Sequence, residues 1–278
     1  MQPKNDAEMR ADGAQASCSL SQAPRNANGQ VRPETCAKVR PQMRSQELTT
    51  MRSPEPAAMA PSRDAAAQIV DVYCRLALAG QHLLADVVGN TAPRAWAHYP
   101  SDDARDIRSG YQWFYHSHGA DDRPGSAEHG HIHLFARAAA WRGVVDFDAE
   151  RRWRRRLRIP GPRARSRHLL CIGFDAKGVP NSLFTVNRWV TGEALLSATS
   201  TARLLKDMRM ATGHAEINQL LCSVVALCAP EIDRILSARD EALLLRSRLG
   251  PDALEDPKLE LLSEARIDLD DILHRDRH

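Results

Sequence analysis

Five of the eleven histidines in this 278-residue chain fall between positions 116 and 133: His116, His118, His129, His131 and His133. A neutral imidazole offers one lone pair. Zinc needs three or four such donors, and iron(II) or manganese accepts two or three histidines with a carboxylate. The spacing carries as much information as the number. Within each group the histidines recur every second residue, and side chains two apart share one face of a strand. The opposite parity is apolar, with Tyr111, Trp113 and Tyr115 in the first segment and Ile132 and Leu134 in the second. A core takes the apolar side and leaves the histidines on the other. If the segments pair as a hairpin across residues 119–128, both sets line one face. Neighbouring strand positions about 5 Å apart then let them converge on one ion.

Carboxylates stand close by in sequence at Glu128, Asp121 and Asp122, and a second acidic group (Asp102, Asp103, Asp106) follows His98-Tyr99-Pro100. This pattern predicts a mononuclear site for zinc, iron or manganese. His129, His131 and His133, or two of these with His116 or His118, are its expected ligands. Glu128 is the expected general base or a further ligand, and the substrate is a small polar molecule. A hydrolytic version lowers the pKa of bound water, and an oxidative one presents open positions to oxygen. In the stretch Asn187-Arg188-Trp189-Val190-Thr191-Gly192-Glu193, Arg188 has the planar fork to orient an anionic group. The favoured reading of the same stretch is structural: it closes a strand and caps the next helix, with Trp189 in the core. From a different class comes a non-enzymatic module whose histidine face binds metal or a partner.

The elements that would position these residues follow from periodicity. Ser62 or Asp64 can cap a helix whose apolar residues run from Ile69 to Val88 at helical spacing, interrupted at Gly80 and stopped at Gly89-Asn90. Strands are expected over 111–116, 131–137 and 169–174. The turn Asp175-Ala176-Lys177-Gly178 leads to a return strand over 183–190. Helices follow over about 200–210 and 214–228, and from Pro230 to before Gly250, with a final half-buried strand over 259–269 as a candidate sheet edge. The fold class is α+β, a mostly antiparallel sheet with helices packed on it. Residues 1–62 lack any apolar period and read as a disordered tail, leaving 63–278 as one domain.

Several of these stretches together resemble an uncharacterised bacterial family, a domain of unknown function. They are His98-Tyr99-Pro100 with Asp103 and Asp106, Tyr115-His116-x-His118, Glu128-His129-Gly130-His131-x-His133-x-Phe135, the 187–193 stretch, and Glu255-Asp256 with Leu259-Glu260. The resemblance spans roughly residues 70 to 270 and implies a single domain without implying a mechanism. The tail and the segment at about 151–168 lie outside its pattern. Residues 129–135 are also similar to the His-x-His-x-His signature of the histidine triad nucleotide hydrolases and transferases. That likeness implies metal-free attack by His131 on a phosphate. Beyond those residues the chain departs from that family in length and layout.

Composition bounds what remains. Hydrophobic residues make up 43% and charged residues 26%, which allows a sizeable core. No long uncharged window exists and the mean hydropathy is −0.44, against a transmembrane chain. Residues 1–10 offer no signal-peptide core, so a cytoplasmic location is expected. The six cysteines include no C-x-x-C pair and read as reduced, buried thiols. Nine arginines lie between 151 and 168 against a net charge of +3, so the remainder carries −6. Pro160-Gly161-Pro162 makes that basic segment loop-like, and nucleic-acid binding is not the favoured reading.

Overall fold

The structure, a computed structural model, describes residues 62–89, 93–118, 128–159, 161, 165–250 and 253–275. The chain divides into Met1–Ser53 and Pro54–His278, and every described residue belongs to the second unit. The expected tail, the loop at 119–127 with Asp121 and Asp122, and Pro160 and Pro162 lie outside the described residues. The elements are α1 (Ser62–Ala79), α2 (Ala85–Val88), β1 (Tyr99–Arg105), β2 (Tyr111–Ser117), β3 (Gly130–Arg137), α3 (Ala138–Trp141) and α4 (Phe147–Leu157). They continue with β4 (Ser166–Phe174), β5 (Pro180–Val186), α5 (Arg188–Thr191), α6 (Ala198–Lys206), α7 (Ala215–Leu227), α8 (Ala229–Leu249), β6 (Leu261–Arg266) and α9 (Leu269–Arg275). Among the described residues, no helix is long and apolar enough to cross a membrane.

All six strands form one sheet in the order β1-β2-β3-β4-β5-β6, each antiparallel to its chain neighbour. The architecture is therefore the expected α+β. Alternation sorts each strand into two faces. On one face the rows Trp113–Leu134–Leu170 and Tyr115–Ile132–Ile172–Leu183 run straight across the sheet. They share the main core with Ile69, Val72 and Leu76 of α1 and with Leu220, Leu221 and Val224 of α7. Those helical residues recur at three- and four-residue intervals, the spacing that presents one stripe to a sheet. Even polar atoms on this face are tied in, since Trp113 Nε1 donates to Asn218 Oδ1 at 3.1 Å and the Tyr111 hydroxyl donates to the Leu204 carbonyl at 2.7 Å.

Several expected boundaries move, each for a local reason. The single helix expected up to Val88 ends at Ala79, because Gly80 adopts a left-handed φ of +61° and turns the chain. Leu83 and Leu84 are still buried, so the apolar spacing beyond Gly80 belongs to a separate segment. The return strand stops at Val186 rather than 190, where the Asn187 side chain accepts a hydrogen bond from Arg188 N and starts α5. This is the favoured structural reading of the 187–193 stretch, except that Trp189 is half-buried rather than in the core and donates to the Leu259 carbonyl. The last strand is shorter than expected, 261–266, and lies at the sheet edge as anticipated.

The basic segment expected to be loop-like is helical over residues 151–157 and enters β4 at Ser166. Asp146 caps α4 by accepting from Asp148 N and Ala149 N, and Arg158 closes it in a left-handed conformation. Glu150, fully buried, bonds Ser197 N and Oγ, while Leu157 and Trp153 pack with Leu195 and Leu243. The arginines of α4 occupy the side that this packing leaves over. β1 has no counterpart in the sequence reading, which took its residues for an acidic cluster.

Candidate metal centre

The second face of the sheet carries the histidines. The pairing of β2 with β3 sets His116 opposite His131 and Phe114 opposite His133, the hairpin arrangement that period-two spacing anticipates. Extended across the sheet, the rows read His116–His131–Gly173–Ser182–Arg266 and Phe114–His133–Cys171–Phe184–Glu264. His131, His133, His168 and Cys171 are all 2% exposed or less, which is unusual for imidazoles and requires that their polar atoms find partners.

Two overlapping groups of donors result. One nitrogen each from His116, His118 and His131 lie within 4.8 Å of one another, as do donors from His131, His133 and Cys171. The first group is closed by ring contacts, with centroids 4.3 Å apart for His116 and His131, 5.1 Å for His116 and His118, and 5.0 Å for His118 and His131. Among the described residues, His116 Nε2 is buried without a hydrogen-bond partner. His131 Nε2 lies 3.0 Å from His133 Nε2. On the far side of that ring, His133 Nδ1 lies 3.1 Å from His168 Nε2 and 3.2 Å from Cys171 Sγ.

Glu128 locks onto this arrangement from the edge. Its Oε1 lies 2.6 Å from His131 Nδ1, the carboxylate–imidazole contact that fixes a ring's tautomer and turns its other nitrogen toward a ligand. Gly173 makes room for it. A Cβ at Gly173 would collide with Ser182 Oγ and sit 2.9 Å from Glu128 Oε2. Glu128 and Ser182 also line a cleft of about 950 Å³, together with Glu264 and Arg266 of β6 and Arg275 of α9. The carboxylate thus touches both the histidine cluster and solvent-accessible space.

The electrostatics keep the cluster's lone pairs available. Burial, reinforced by His131 and His118, pushes the His116 pKa down to about 2. His168 falls to about 3 through burial and the neighbouring Arg239 guanidinium, and burial with His131 and His168 holds His133 well below its ordinary value. These rings are neutral at physiological pH, the form that binds a metal.

Of the residues singled out by sequence, His116, His118, His131, His133 and Glu128 are brought together. His129 is not. It lies on a bend just before β3, where strand parity has no hold, and its Nδ1 meets the Tyr115 hydroxyl of the helix-covered face at 3.1 Å. Arg188 starts α5 and is ion-paired with Glu255. Asp106 accepts from Ser109 Oγ and Ala211 N in a turn, and Asp103 accepts from Gln112 Nε2 at 2.7 Å.

Four neighbours escaped the sequence reading. Trp96 edges onto His118 with ring centroids 4.5 Å apart, and His98 stacks on Phe114 at 3.7 Å. His168 and Cys171 escaped for a different reason. Three residues apart, they should face opposite ways on a regular strand. A bulge at Leu169, between the pairs Leu134–Leu170 and Phe135–His168, brings both onto the histidine face. Cys171 is thus a buried thiol as expected, but one set among imidazoles, while Cys74 is exposed against expectation.

No curated protein and no solved structure matches the chain. Residues 63–267 match the domain of unknown function DUF6969, an interval that holds the whole sheet and every residue of the cluster. The chain therefore belongs to the DUF6969 family.

Proposed function

We propose that this protein binds a divalent metal ion through His116, His118 and His131, with His133 Nε2 as a fourth nitrogen, and acts as a metalloenzyme on a small polar substrate. The observation that carries this reading is the convergence of three imidazole nitrogens within 4.8 Å beside a carboxylate that orients one of them. In a tetrahedral zinc site, nitrogens about 2.1 Å from the ion are roughly 3.4 Å apart, so the His131–His133 contact of 3.0 Å needs only a small expansion. The all-nitrogen set suits zinc or iron(II), whereas manganese would need a carboxylate in addition. Bound there, the ion would supply Lewis-acid activation of water or an open position for oxygen.

The chain's own residues divide the remaining work. Glu128 holds His131 and faces the cleft, the position from which a carboxylate takes a proton from a molecule entering there. The mixed acidic and basic lining of that cleft, Glu264 and Asp268 against Arg234 and Arg266, favours a polar ligand over an apolar one. A non-catalytic metal-binding role is favoured by one observation, the near-complete burial of His131 and His133. His131 attack on a phosphate is not, since both its nitrogens are engaged, by Glu128 and by His133.

Elemental analysis of protein purified without chelator, beside the variant His116→Ala/His131→Ala, tests the reading. Near-stoichiometric metal that is lost in the variant supports it. Metal-free protein that also resists reconstitution with zinc, iron(II) and manganese overturns it. Glu128→Gln then separates the two roles: turnover disappears while metal stays if the protein is an enzyme.

A further inference from the structure

Behind the nitrogen set lies a second group of donors, two of whose residues the proposed function does not use. His133 Nδ1, His168 Nε2 and Cys171 Sγ form a closed triangle with edges of 3.1, 3.2 and 3.4 Å. All three side chains are at most 1% exposed. Donor atoms about 2.0 to 2.3 Å from a central ion in a trigonal plane have edges of roughly 3.5 to 3.7 Å, so a shift of a few tenths of an ångström admits an ion. The triangle exists only because the bulge at Leu169 sets His168 on the same side as Cys171. A bulge that re-aims a polar side chain into the interior is a built feature rather than a packing accident.

We propose that His133, His168 and Cys171 form a second metal position, specific for copper(I). Two histidines and one cysteine in a trigonal array are a copper donor set, and thiolate is the soft ligand that selects copper(I) over harder ions. Charge points the same way. The Arg239 guanidinium is fully buried, lies close enough to act on His168 and is already balanced by Asp240 at 2.8 Å. Copper(I) with a thiolate is neutral overall and leaves that balanced pair undisturbed, whereas zinc with a thiolate leaves a net positive charge in a fully buried site. On uptake the Cys171 S–H bond breaks, the sulfur–copper bond forms, and one proton leaves per ion. His133 has a single lone pair when neutral. It can give Nε2 to the first position or Nδ1 to the second, so the two positions compete for it.

The experiment titrates the full-length chain with copper(I) alone, under a reductant, against a chromophoric copper(I) chelator. Wild-type protein should retain one equivalent. Cys171→Ser, close in shape to the native residue, should lose roughly a hundredfold in copper(I) affinity, since even outer partners of a metal ligand carry ten- to hundredfold. His168→Gln should lose a comparable factor. Both variants should still take up zinc at His116, His118 and His131, which shows that they are folded and keeps this inference separate from the one above. Failure of wild-type protein to hold copper(I), or unchanged affinity in Cys171→Ser, overturns the proposal. So does a copper(I) affinity that falls in His116→Ala/His118→Ala and not in Cys171→Ser.

Discussion

The two faces of one sheet solve opposite problems with the same strands. Toward the helices, Trp113, Tyr115, Ile132, Leu134 and Ile172 are all 1% exposed or less, and burial of apolar area stabilises them at about 25 cal/mol per Å². Toward the other side, the intervening residues bury imidazoles nearly as deeply, with His133 and His168 at 1%. Burying such polar groups costs free energy unless they are hydrogen-bonded, and even then the gain is modest. The first face therefore holds the fold together, and the second is tolerated because the first is strong. Residues that cost stability on such a scale are where function is expected.

The contrast is most exposed by acid. His116, His133 and His168 have folded-state pKa values below the ordinary 6.5, so the unfolded chain binds protons more readily than the folded one. Their contribution is fully present above about pH 6.5 and is lost as pH falls toward about 3 for His168 and about 2 for His116. His116 and His168 stay neutral in the folded chain through most of that window, and burial acts on His133 in the same direction, so acid works against the folded state throughout. Metal-free protein should unfold cooperatively between pH 6.5 and 4 when followed by circular dichroism. Unchanged stability at pH 4 would break the comparison.

On the helix-covered face, the largest single effect should come from Trp113→Ala. It removes a fully buried side chain and takes the indole donor from Asn218 Oδ1, for an expected loss of about 3–5 kcal/mol in urea denaturation. The variant's histidine face should keep its metal affinity wherever the protein remains folded. A loss confined to metal binding, with stability intact, would mean that the two faces are not divided in this way.

How far sequence reached follows the same division. The β2–β3 hairpin was legible because apolar and histidine positions alternate without a break, so one parity argument fixed faces and register together. It failed where regularity failed. Period-two reasoning sets His168 on the core side with Leu170 and Ile172, and only the bulge at Leu169 reverses this. β1 was hidden because Tyr99–Arg105 is a polar edge strand with an irregular register. The helix α4 was hidden because arginines fill most of its turns, while its attachment rests on Glu150 and Leu157. His129 was placed on the wrong side of a strand boundary that lies one residue later.

The smallest expected effect is the most specific. Gly173 lies in β4 between His131 and Ser182, and only the absent side chain lets the Glu128 carboxylate lie against the sheet. In Gly173→Ala the new Cβ meets Ser182 Oγ, a short side chain fixed to β5, and Glu128, a long one that can swing away. Overpacking of this kind costs about 1–3 kcal/mol, since Ser182 must turn or shift even when Glu128 moves away. Its departure frees His131 Nδ1 from the carboxylate that orients the ring, so zinc affinity at His116, His118 and His131 should fall about tenfold. Copper(I) affinity at His133, His168 and Cys171, which Glu128 does not touch in any described contact, should stay within about twofold. Isothermal titration with each ion reads both numbers on one sample. Equal losses at the two positions would show that Gly173→Ala disturbs the sheet as a whole, and that the carboxylate contact does not set the tautomer of His131.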